Sequence, residues 1–194
     1  INNRKSPIED KEGSRYLAEK KLNLRAVSDF PNLKDFDFII IATPTNYSPE
    51  TNYFDTSSIK SCLEEIEKQK YKSTVIIRST TPVGFTKSIQ KKYPNQEIIF
   101  VPEFLREGRA LHDSLYPSRI VIGSFSDNAK LFANLLLQGA LDKNVKVLHI
   151  NPTEAETSKL FANAFLALRV TFFNELDTFA LSKNLNTEEI INAV

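Results

Sequence analysis

Between residues 36 and 150, short apolar runs alternate with amphipathic stretches, and this alternation limits the possible folds more than any other feature of the chain. The apolar runs predict five strands, at residues 36–43, 74–79, 98–101, 119–123 and 145–150. Strands that alternate with helices are typical of βαβ units, which form a parallel sheet. The run from Phe38 to Ala42 is apolar at every position, so we expect strands that are covered on both faces. The pattern therefore predicts an α/β fold with a doubly wound parallel sheet.

The amphipathic stretches between the strands predict helices at residues 55–70, 86–92 and 127–141. Asp55 and Asp127 lie where N-cap residues belong, because a carboxylate there accepts hydrogen bonds from the first helical N–H groups. Before the first strand, Pro7 is expected at the first position of a short helix that extends to about Lys20. Residues 22–26 are interpreted as one more short strand.

One long helix is predicted from residue 151 to about residue 182. Asn151 provides an N-cap, Pro152 a first helical position and Glu154 a carboxylate in the first turn. Between residues 160 and 173 this helix is apolar on nearly every face, and such a helix must be buried on several sides. We therefore expect it to pack against a second domain, a second subunit, or both. The mostly polar segment 184–189 breaks the pattern and begins another helix.

The composition argues against several classes of partner. The chain has 25 basic and 24 acidic residues, and its net charge of +1 gives no reason to expect a nucleic acid or an anionic membrane as partner. No apolar run approaches the ~20 residues that span a bilayer, and the N-terminus lacks the apolar stretch of a signal peptide, so a cytoplasmic location is expected. The one cysteine, Cys62, is predicted to be a small core residue rather than a nucleophile. His112 and His149 show no spacing typical of a metal site, so no metal is expected.

Polar residues and prolines follow the predicted strands in four segments, at residues 43–46, 79–84, 102–108 and 151–153. Any one of them could simply end a strand and cap a helix. Their recurrence at successive strand ends favours a ligand site, because ligands of a doubly wound sheet bind outside the carboxyl ends of its strands. None of the five glycines forms the GxGxxG pattern that binds phosphates in many such folds.

Two pairs of residues spaced four apart are candidates for chemistry. Glu103 and Glu107 share one face if Glu103 begins a helix, where acidic residues either complement the helix dipole or handle protons and water at a site. Lys159 and Asn163 share one face of the long helix within its apolar part. The lysine forms either a structural salt bridge or, with the asparagine, a pair of donors for a developing oxyanion.

Five motifs connect these features to a known family. They are IATPTN at residues 41–46, RSTTPVG at 78–84, VPEFLREGRA at 101–110, YPSRIVIG at 116–123 and KLFANAFLALRVTFFNELD at 159–177. From about Ser6 to the last residue, the chain resembles the short bacterial-type UDP-glucose 6-dehydrogenases among the nucleotide-sugar dehydrogenases. The resemblance implies a Rossmann-like fold in which residues 1–150 form an NAD-binding domain lacking its first strand and glycine-rich turn. Residues 151–194 would be the long central helix and the start of the dimerisation and substrate region, leading to a second domain outside these residues.

The resemblance also implies roles at the cofactor. Thr45 and Thr80 should face NAD, and Thr80 should in addition hold a water near the reacting carbon. Glu107 should lie beside the nicotinamide. NAD is accordingly the expected cofactor.

Further roles follow for the substrate, which the resemblance identifies as UDP-glucose. Glu103 should serve the proton and water steps. The sugar should be lined by the backbone of three successive residues, Phe104, Leu105 and Arg106. Lys159 and Asn163 should contact the substrate and stabilise the oxyanions.

The implied activity is the NAD-dependent, two-step oxidation of UDP-glucose to UDP-glucuronate by a homodimer joined through the long helix. The nucleophilic cysteine would lie outside these residues, so residues 1–194 alone are expected to be inactive. One alternative is a related dehydrogenase acting on GDP-mannose or UDP-N-acetylmannosamine. The other is a nucleotide-binding module without catalysis.

Overall fold

The computed structural model describes residues 1–50 and 52–194. The chain divides into two compact units, Ile1–Thr157 and Ser158–Val194. The strands are β1 (Phe38–Ile41), β2 (Tyr47–Ser48), β3 (Tyr53–Phe54), β4 (Thr74–Ile77), β5 (Glu97–Phe100), β6 (Ile120–Ile122) and β7 (Val147–His149). The helices are α1 (Lys11–Glu19), α2 (Ser57–Lys68), α3 (Phe85–Lys92), α4 (Ala110–Leu115), α5 (Asp127–Gly139), α6 (Pro152–Ser182) and α7 (Thr187–Ala193), with a 3-10 turn at Leu33–Asp35.

A parallel sheet lies at the centre of the first unit. Strands β1, β4 and β5 pair in that order, with Ile41 opposite Ile77 and Ile77 opposite Phe100. Strands β6 and β7 form a second parallel pair, which continues from β5 through a hydrogen bond from the Gly123 N–H to the Phe100 carbonyl at 2.8 Å. A short antiparallel hairpin, β2–β3, follows the end of β1.

Successive residues of the central strands face two separate cores. Val75 and Ile77 pack with apolar residues of α2 and α3, whereas Ile76 packs with Phe132 and its neighbours on α5. Because side chains alternate between the two faces of a strand, helices cover both faces of the sheet. This arrangement confirms the predicted doubly wound α/β fold.

The prediction that every strand is covered on both faces is wrong for β1. All residues of β4 and β6 are buried, but Ile40 in β1 is 52% exposed. The reason is that β1 is the edge strand of the three-stranded sheet in this chain.

Several local predictions at the N-terminus are corrected. The first helix begins at Lys11 rather than Pro7, because the carboxylate of Asp10 caps it by accepting a hydrogen bond from the Gly13 N–H at 2.8 Å. The second oxygen of Asp10 accepts the Leu111 N–H at 3.0 Å, so one buried carboxylate caps both α1 and α4. Residues 22–26 form no strand. The N–H and the carbonyl of Ala26 are instead hydrogen-bonded to the side-chain amide of Asn2.

Two predicted N-caps are displaced by one residue. The N-cap of α2 is Thr56 rather than Asp55, although the Asp55 carboxylate still accepts the N–H of the first helical residue at 2.9 Å. The N-cap of α5 is Ser126, whose hydroxyl oxygen accepts the Ala129 N–H, while Asp127 is the first helical residue. Both acidic residues remain at the positive ends of their helices, which the helix dipole favours.

Gly123 lies where two other backbone segments approach closely. A Cβ at this position would lie 2.8 Å from the Phe100 carbonyl oxygen and 3.1 Å from the Cα of Pro152. We expect Gly123→Ala to destabilise the folded protein by about 1–3 kcal/mol, because backbone atoms must move to admit the methyl group. Thermal unfolding of the full-length protein measures the effect.

Gly139→Ala is the matched control for this substitution. No atom lies within 4 Å of a Cβ at Gly139, which ends α5, so alanine there should leave the melting temperature unchanged or raise it slightly. Equal melting temperatures for the Gly123 variant and the parent would contradict the expected clash.

The second unit consists of most of α6, followed by α7. Helix α6 spans 31 residues, and α7 begins after Asn186, whose side chain caps it. Phe161, Phe165, Leu168 and Phe172 are 56–66% exposed in this chain and recur at intervals of four, three and four residues. These four residues form the apolar stripe of α6, since such spacing places them on one side of a helix. No helix within residues 1–50 and 52–194 combines the length and apolarity needed to cross a bilayer.

Candidate functional site

Three polar loops meet at the carboxyl edge of the sheet. They follow β1, β4 and β5, and these strands are parallel and in register at their ends. The loops therefore start from neighbouring positions, although they lie far apart in sequence. The structure thus brings the predicted segments 43–46, 79–84 and 102–108 to one edge.

Hydroxyl groups join the first two loops. The Ser79 hydroxyl donates to the Thr43 carbonyl at 2.6 Å, and the Ser58 hydroxyl donates to the Thr43 hydroxyl at 2.9 Å. Ser79 is buried, whereas Thr45 and Thr80 are partly exposed. The buried Ser79 holds the two loops together, and the two threonines predicted to face a cofactor remain accessible.

Glu103 forms an ion pair with Arg78 across the ends of β5 and β4. A guanidinium nitrogen lies 3.1 Å from the Glu103 carboxylate, and a second hydrogen bond of 3.1 Å comes from the Arg78 Nε. The arginine side chain is 19% exposed and the glutamate 38%. Glu103 is therefore fixed in position but still accessible. Sequence reasoning did not single out Arg78, although its place directly after β4 marks it as a strand-end residue.

No helix begins at Glu103. Residues 101–106 are irregular, a turn at residues 107–108 follows, and α4 begins only at Ala110. Gly108 has a φ of +74°, a left-handed conformation that interrupts any helix here. The condition under which Glu103 and Glu107 would share one helix face is therefore not met. Glu103 is partly buried beside the sheet, and Glu107 lies in the exposed turn.

Asp113 on α4 closes this loop by binding Arg106. Its carboxylate accepts hydrogen bonds from the Arg106 backbone N–H at 2.8 Å, from the Nε at 3.0 Å and from a terminal guanidinium nitrogen. The guanidinium is the main cause that lowers the pKa of the Asp113 carboxyl to about 2. Sequence reasoning missed Asp113, which lies seven residues after its partner with no motif connecting the two.

The lowered pKa of Asp113 predicts an acid-sensitive loop. Its folded pKa of about 2 lies below the ordinary pKa of an aspartate side chain, so the ionised carboxylate stabilises the fold above that ordinary pKa, and this contribution disappears as the pH falls to about 2. Asp113→Asn should remove this part of the pH dependence and loosen the loop at neutral pH. Unfolding followed between pH 5 and pH 2 checks the prediction, and identical pH profiles for parent and variant would count against it.

A small cavity lies between the loop after β5 and the segment before β6. Its volume is about 100 Å³, and its lining includes Arg78, Glu103, Phe104, Leu105 and Arg119. The Arg119 guanidinium lies 3.8 Å from the centre of the Phe104 ring, a distance typical of a cation–π contact. Of the three residues predicted to line a sugar, Phe104 and Leu105 line this cavity. The side chain of the third, Arg106, is directed to Asp113.

The remaining predicted residues lie elsewhere. Lys159 and Asn163 are on α6 in the second unit, where Lys159 is partly buried and Asn163 exposed. Cys62 packs partly buried against the core, and burial raises the pKa of its thiol, which disfavours the reactive thiolate. In the described part of the chain, no group of three or more His, Cys, Asp or Glu side chains is placed to share a metal ion.

Comparison with known proteins identifies a family for both parts of the chain. Residues 1–138 match the NAD binding domain of the UDP-glucose/GDP-mannose dehydrogenase family, and residues 153–194 match its central domain. The UDP-glucose 6-dehydrogenase of Streptococcus pneumoniae is 47% identical over 201 residues, covering 100% of this chain and 51% of that protein. The enzyme of the same name from Campylobacter jejuni is 46% identical over 198 residues, covering 100% and 50%. The chain thus spans about half the length of these relatives.

Solved structures agree with the fold. The GDP-mannose dehydrogenase of Pseudomonas aeruginosa aligns with a TM-score of 0.83 at 23% identity, over 99% of this chain and 47% of that one. The UDP-glucose dehydrogenase of Pyrobaculum islandicum aligns with a TM-score of 0.82 at 26% identity, over 98% and 46%. Because the two domains of the family match in order along the sequence, this chain belongs to the UDP-glucose/GDP-mannose dehydrogenase family.

Proposed function

We propose that the protein containing this chain oxidises UDP-glucose to UDP-glucuronate in two steps, with NAD as the oxidant. The observation that carries the proposal is the 46–47% identity to two UDP-glucose 6-dehydrogenases along the whole chain. The clustering of polar loops at the carboxyl edge of the sheet supports it. In this proposal, residues 1–150 form the NAD-binding domain, and residues 151–194 form the long central helix and the start of the dimerisation and substrate region.

The strand-end loops fit a dinucleotide. Such cofactors bind in the crevice outside the carboxyl ends of parallel strands, and Thr45 and Thr80 are partly exposed there, while Ser79 and Thr81 on either side of Thr80 are buried. We assign these two threonines to NAD, and Glu107, in the exposed turn after β5, to the nicotinamide. When bound, NAD accepts a hydride from carbon 6 of the sugar. Thr80 would also hold a water near that carbon.

The sugar is assigned to the segment that follows β5. Glu103 is 38% exposed while Arg78 holds it in place. Its carboxylate can therefore contact a sugar hydroxyl or a water and accept a proton from it. The backbone of residues 104–106 would line the sugar. On α6, the ammonium of Lys159 and the amide of Asn163 would stabilise negative charge on the oxygen of carbon 6.

We also propose that two copies associate through α6. The apolar stripe of α6 is more than half exposed in this chain, and a contiguous exposed apolar surface of this kind usually marks an interface. A second copy of the same helix would cover it.

The function is tested by supplying NAD and one nucleotide sugar at a time to the purified full-length protein. UDP-glucose should give two NADH for each sugar consumed, and UDP-glucuronate as the product. GDP-mannose and UDP-N-acetylmannosamine, offered in parallel, should give little NADH. Preferred turnover of either of these sugars would replace the proposed substrate, and absence of turnover with all three would favour a nucleotide-binding role without catalysis.

A further inference from the structure

Glu156 is a fully buried carboxylate with four hydrogen-bond donors around it. It lies on α6 within the first unit and is 1% exposed. Its oxygens accept the Gly84 N–H at 2.6 Å, the Thr86 N–H at 2.7 Å and the Thr86 hydroxyl at 2.7 Å. The Thr81 hydroxyl lies 3.4 Å away and also donates to it. Such complete pairing is what allows a carboxylate to be buried.

These donors belong to the loop after β4 and to the start of α3. The N-cap of α3 is Gly84, which has a φ of +88° and no side chain, so α3 cannot cap itself. The first N–H groups of a helix need external acceptors, and the helix dipole favours a negative one. Glu156 supplies this cap from a position 70 residues further along the chain than Thr86.

The other end of the same loop is held separately. The Ser79 hydroxyl donates to the Thr43 carbonyl at 2.6 Å, which fixes the loop to the end of β1. Thr80 therefore lies between two buried neighbours, Ser79 on one side and Thr81 on the other, and both have defined partners. The backbone on each side of Thr80 is fixed, although Thr80 itself is partly exposed.

We infer that Glu156 is a positioning residue for Thr80, holding the loop after β4 in the conformation that presents this threonine to the cofactor and the reacting carbon. The inference rests on the function proposed above. A carboxylate that only stabilises the fold would affect melting and leave turnover unchanged. A positioning residue must also change kcat, because small displacements at a reacting centre reduce the rate strongly.

The first test compares Glu156→Gln with the parent in the full-length protein. Glutamine keeps the size of the side chain, but its NH₂ group faces an N–H or a hydroxyl that needs an acceptor. We expect kcat to fall by about 10- to 100-fold, while KM for UDP-glucose changes by less than about threefold. Hydrogen exchange of the Gly84 and Thr86 amides, which needs neither cofactor nor turnover, should become faster.

Gln96→Leu is the matched control. Gln96 is 2% exposed and also makes four hydrogen bonds, with Ser73, Tyr71 and Glu67, but it lies at the amino ends of β4 and β5. Its loss should lower the melting temperature and leave kcat close to the parental value. If Glu156→Gln likewise lowers only the melting temperature, or leaves amide exchange unchanged, the inference is wrong.

A double-mutant cycle with Thr80→Ala tests whether Glu156 affects kcat through Thr80. If Glu156 acts through Thr80, adding Glu156→Gln to Thr80→Ala should change kcat by less than about twofold. Independent, additive effects would overturn the inference.

If Glu156→Gln does not fold, Thr86→Val takes its place, because it removes one donor to the carboxylate. This variant should lower kcat several-fold and accelerate amide exchange. If neither kcat nor amide exchange changes in this variant, the result counts against the inference.

A failure of the proposed function can be distinguished from a failure of the inference about Glu156. If the parent makes no NADH from any nucleotide sugar, the proposed function is wrong. The inference is then decided by amide exchange together with the Kd for NAD. Glu156→Gln should weaken NAD binding and Gln96→Leu should not, and equal Kd values would reject it.

Discussion

Replacing Lys159 by alanine in the full-length protein should lower kcat by about 10²–10³-fold, or about 3–4 kcal/mol of transition-state stabilisation. Lys159 and Asn163 lie four residues apart on one continuous helix, so an ammonium and an amide donor are available from a rigid element. Both oxidation steps of the proposed reaction pass through negative charge on the same oxygen. Affinity for NAD and the melting temperature should remain close to those of the parent.

The competing interpretation of Lys159 is a structural ion pair. Removing one member of a buried pair costs roughly 3–5 kcal/mol of folding stability, so that interpretation predicts a large loss of melting temperature. Steady-state kinetics and thermal unfolding on the same preparation separate the two. The control is Lys183→Ala, because Lys183 is exposed and lies just beyond the end of α6. This variant should change neither kcat nor the melting temperature. A Lys159 variant that melts much earlier but keeps the parental kcat would reject the catalytic role.

Introducing two charges into the apolar stripe of α6 should convert a dimer into monomers. Leu168 and Phe172 are 64% and 56% exposed in this chain and would be buried when a second copy covers the stripe. Leu168→Glu combined with Phe172→Glu places two carboxylates in that contact. If each residue contributes about 2 kcal/mol, as central interface residues often do, Kd should rise about 10³-fold.

Light scattering at micromolar concentration measures this change. The control is Thr171→Glu on the same helix, because Thr171 is exposed and its hydroxyl donates to the Ala167 carbonyl at 3.1 Å. If Thr171 lies outside the contact, this variant should keep the parental mass. A monomeric parent would show that another surface, such as a second domain of the same protein, covers the stripe.

The strands and the long helix could be predicted because their signals are local. Uninterrupted apolar runs identify buried strands such as β4, and a proline directly after an asparagine, a residue type that favours N-caps, identifies the start of α6 at Pro152. The spacing of Glu103 and Glu107 would place them on one face only in a helix, and no helix forms there for a physical reason that the pattern does not contain. A left-handed Gly108 and the side chain of Asp113 take the place of helical hydrogen bonds there.

The partners within the candidate site could not be predicted, because each joins residues that are distant in sequence. Arg78 meets Glu103 only because β4 and β5 are paired in register. Glu156 meets Gly84 only because α6 begins beside α3. Periodicity identifies which face of an element is buried, but it does not specify which distant side chain will lie against it. The predicted roles of the site residues stay predictions until the variants above are measured.

The double cap at Asp10 has a consequence for the order of folding. The hydrogen bond from the Leu111 N–H to Asp10 joins residues 101 positions apart, whereas the pairing of β4 with β5 joins residues 23 positions apart. Closing the longer loop costs more chain entropy, so this contact should form after the sheet. Helix α1 would then pack against α4 after β4 has paired with β5, and this packing would open before the strand pair does in the native state. A protease acting under native conditions should therefore cut before β1 long before it reaches the sheet.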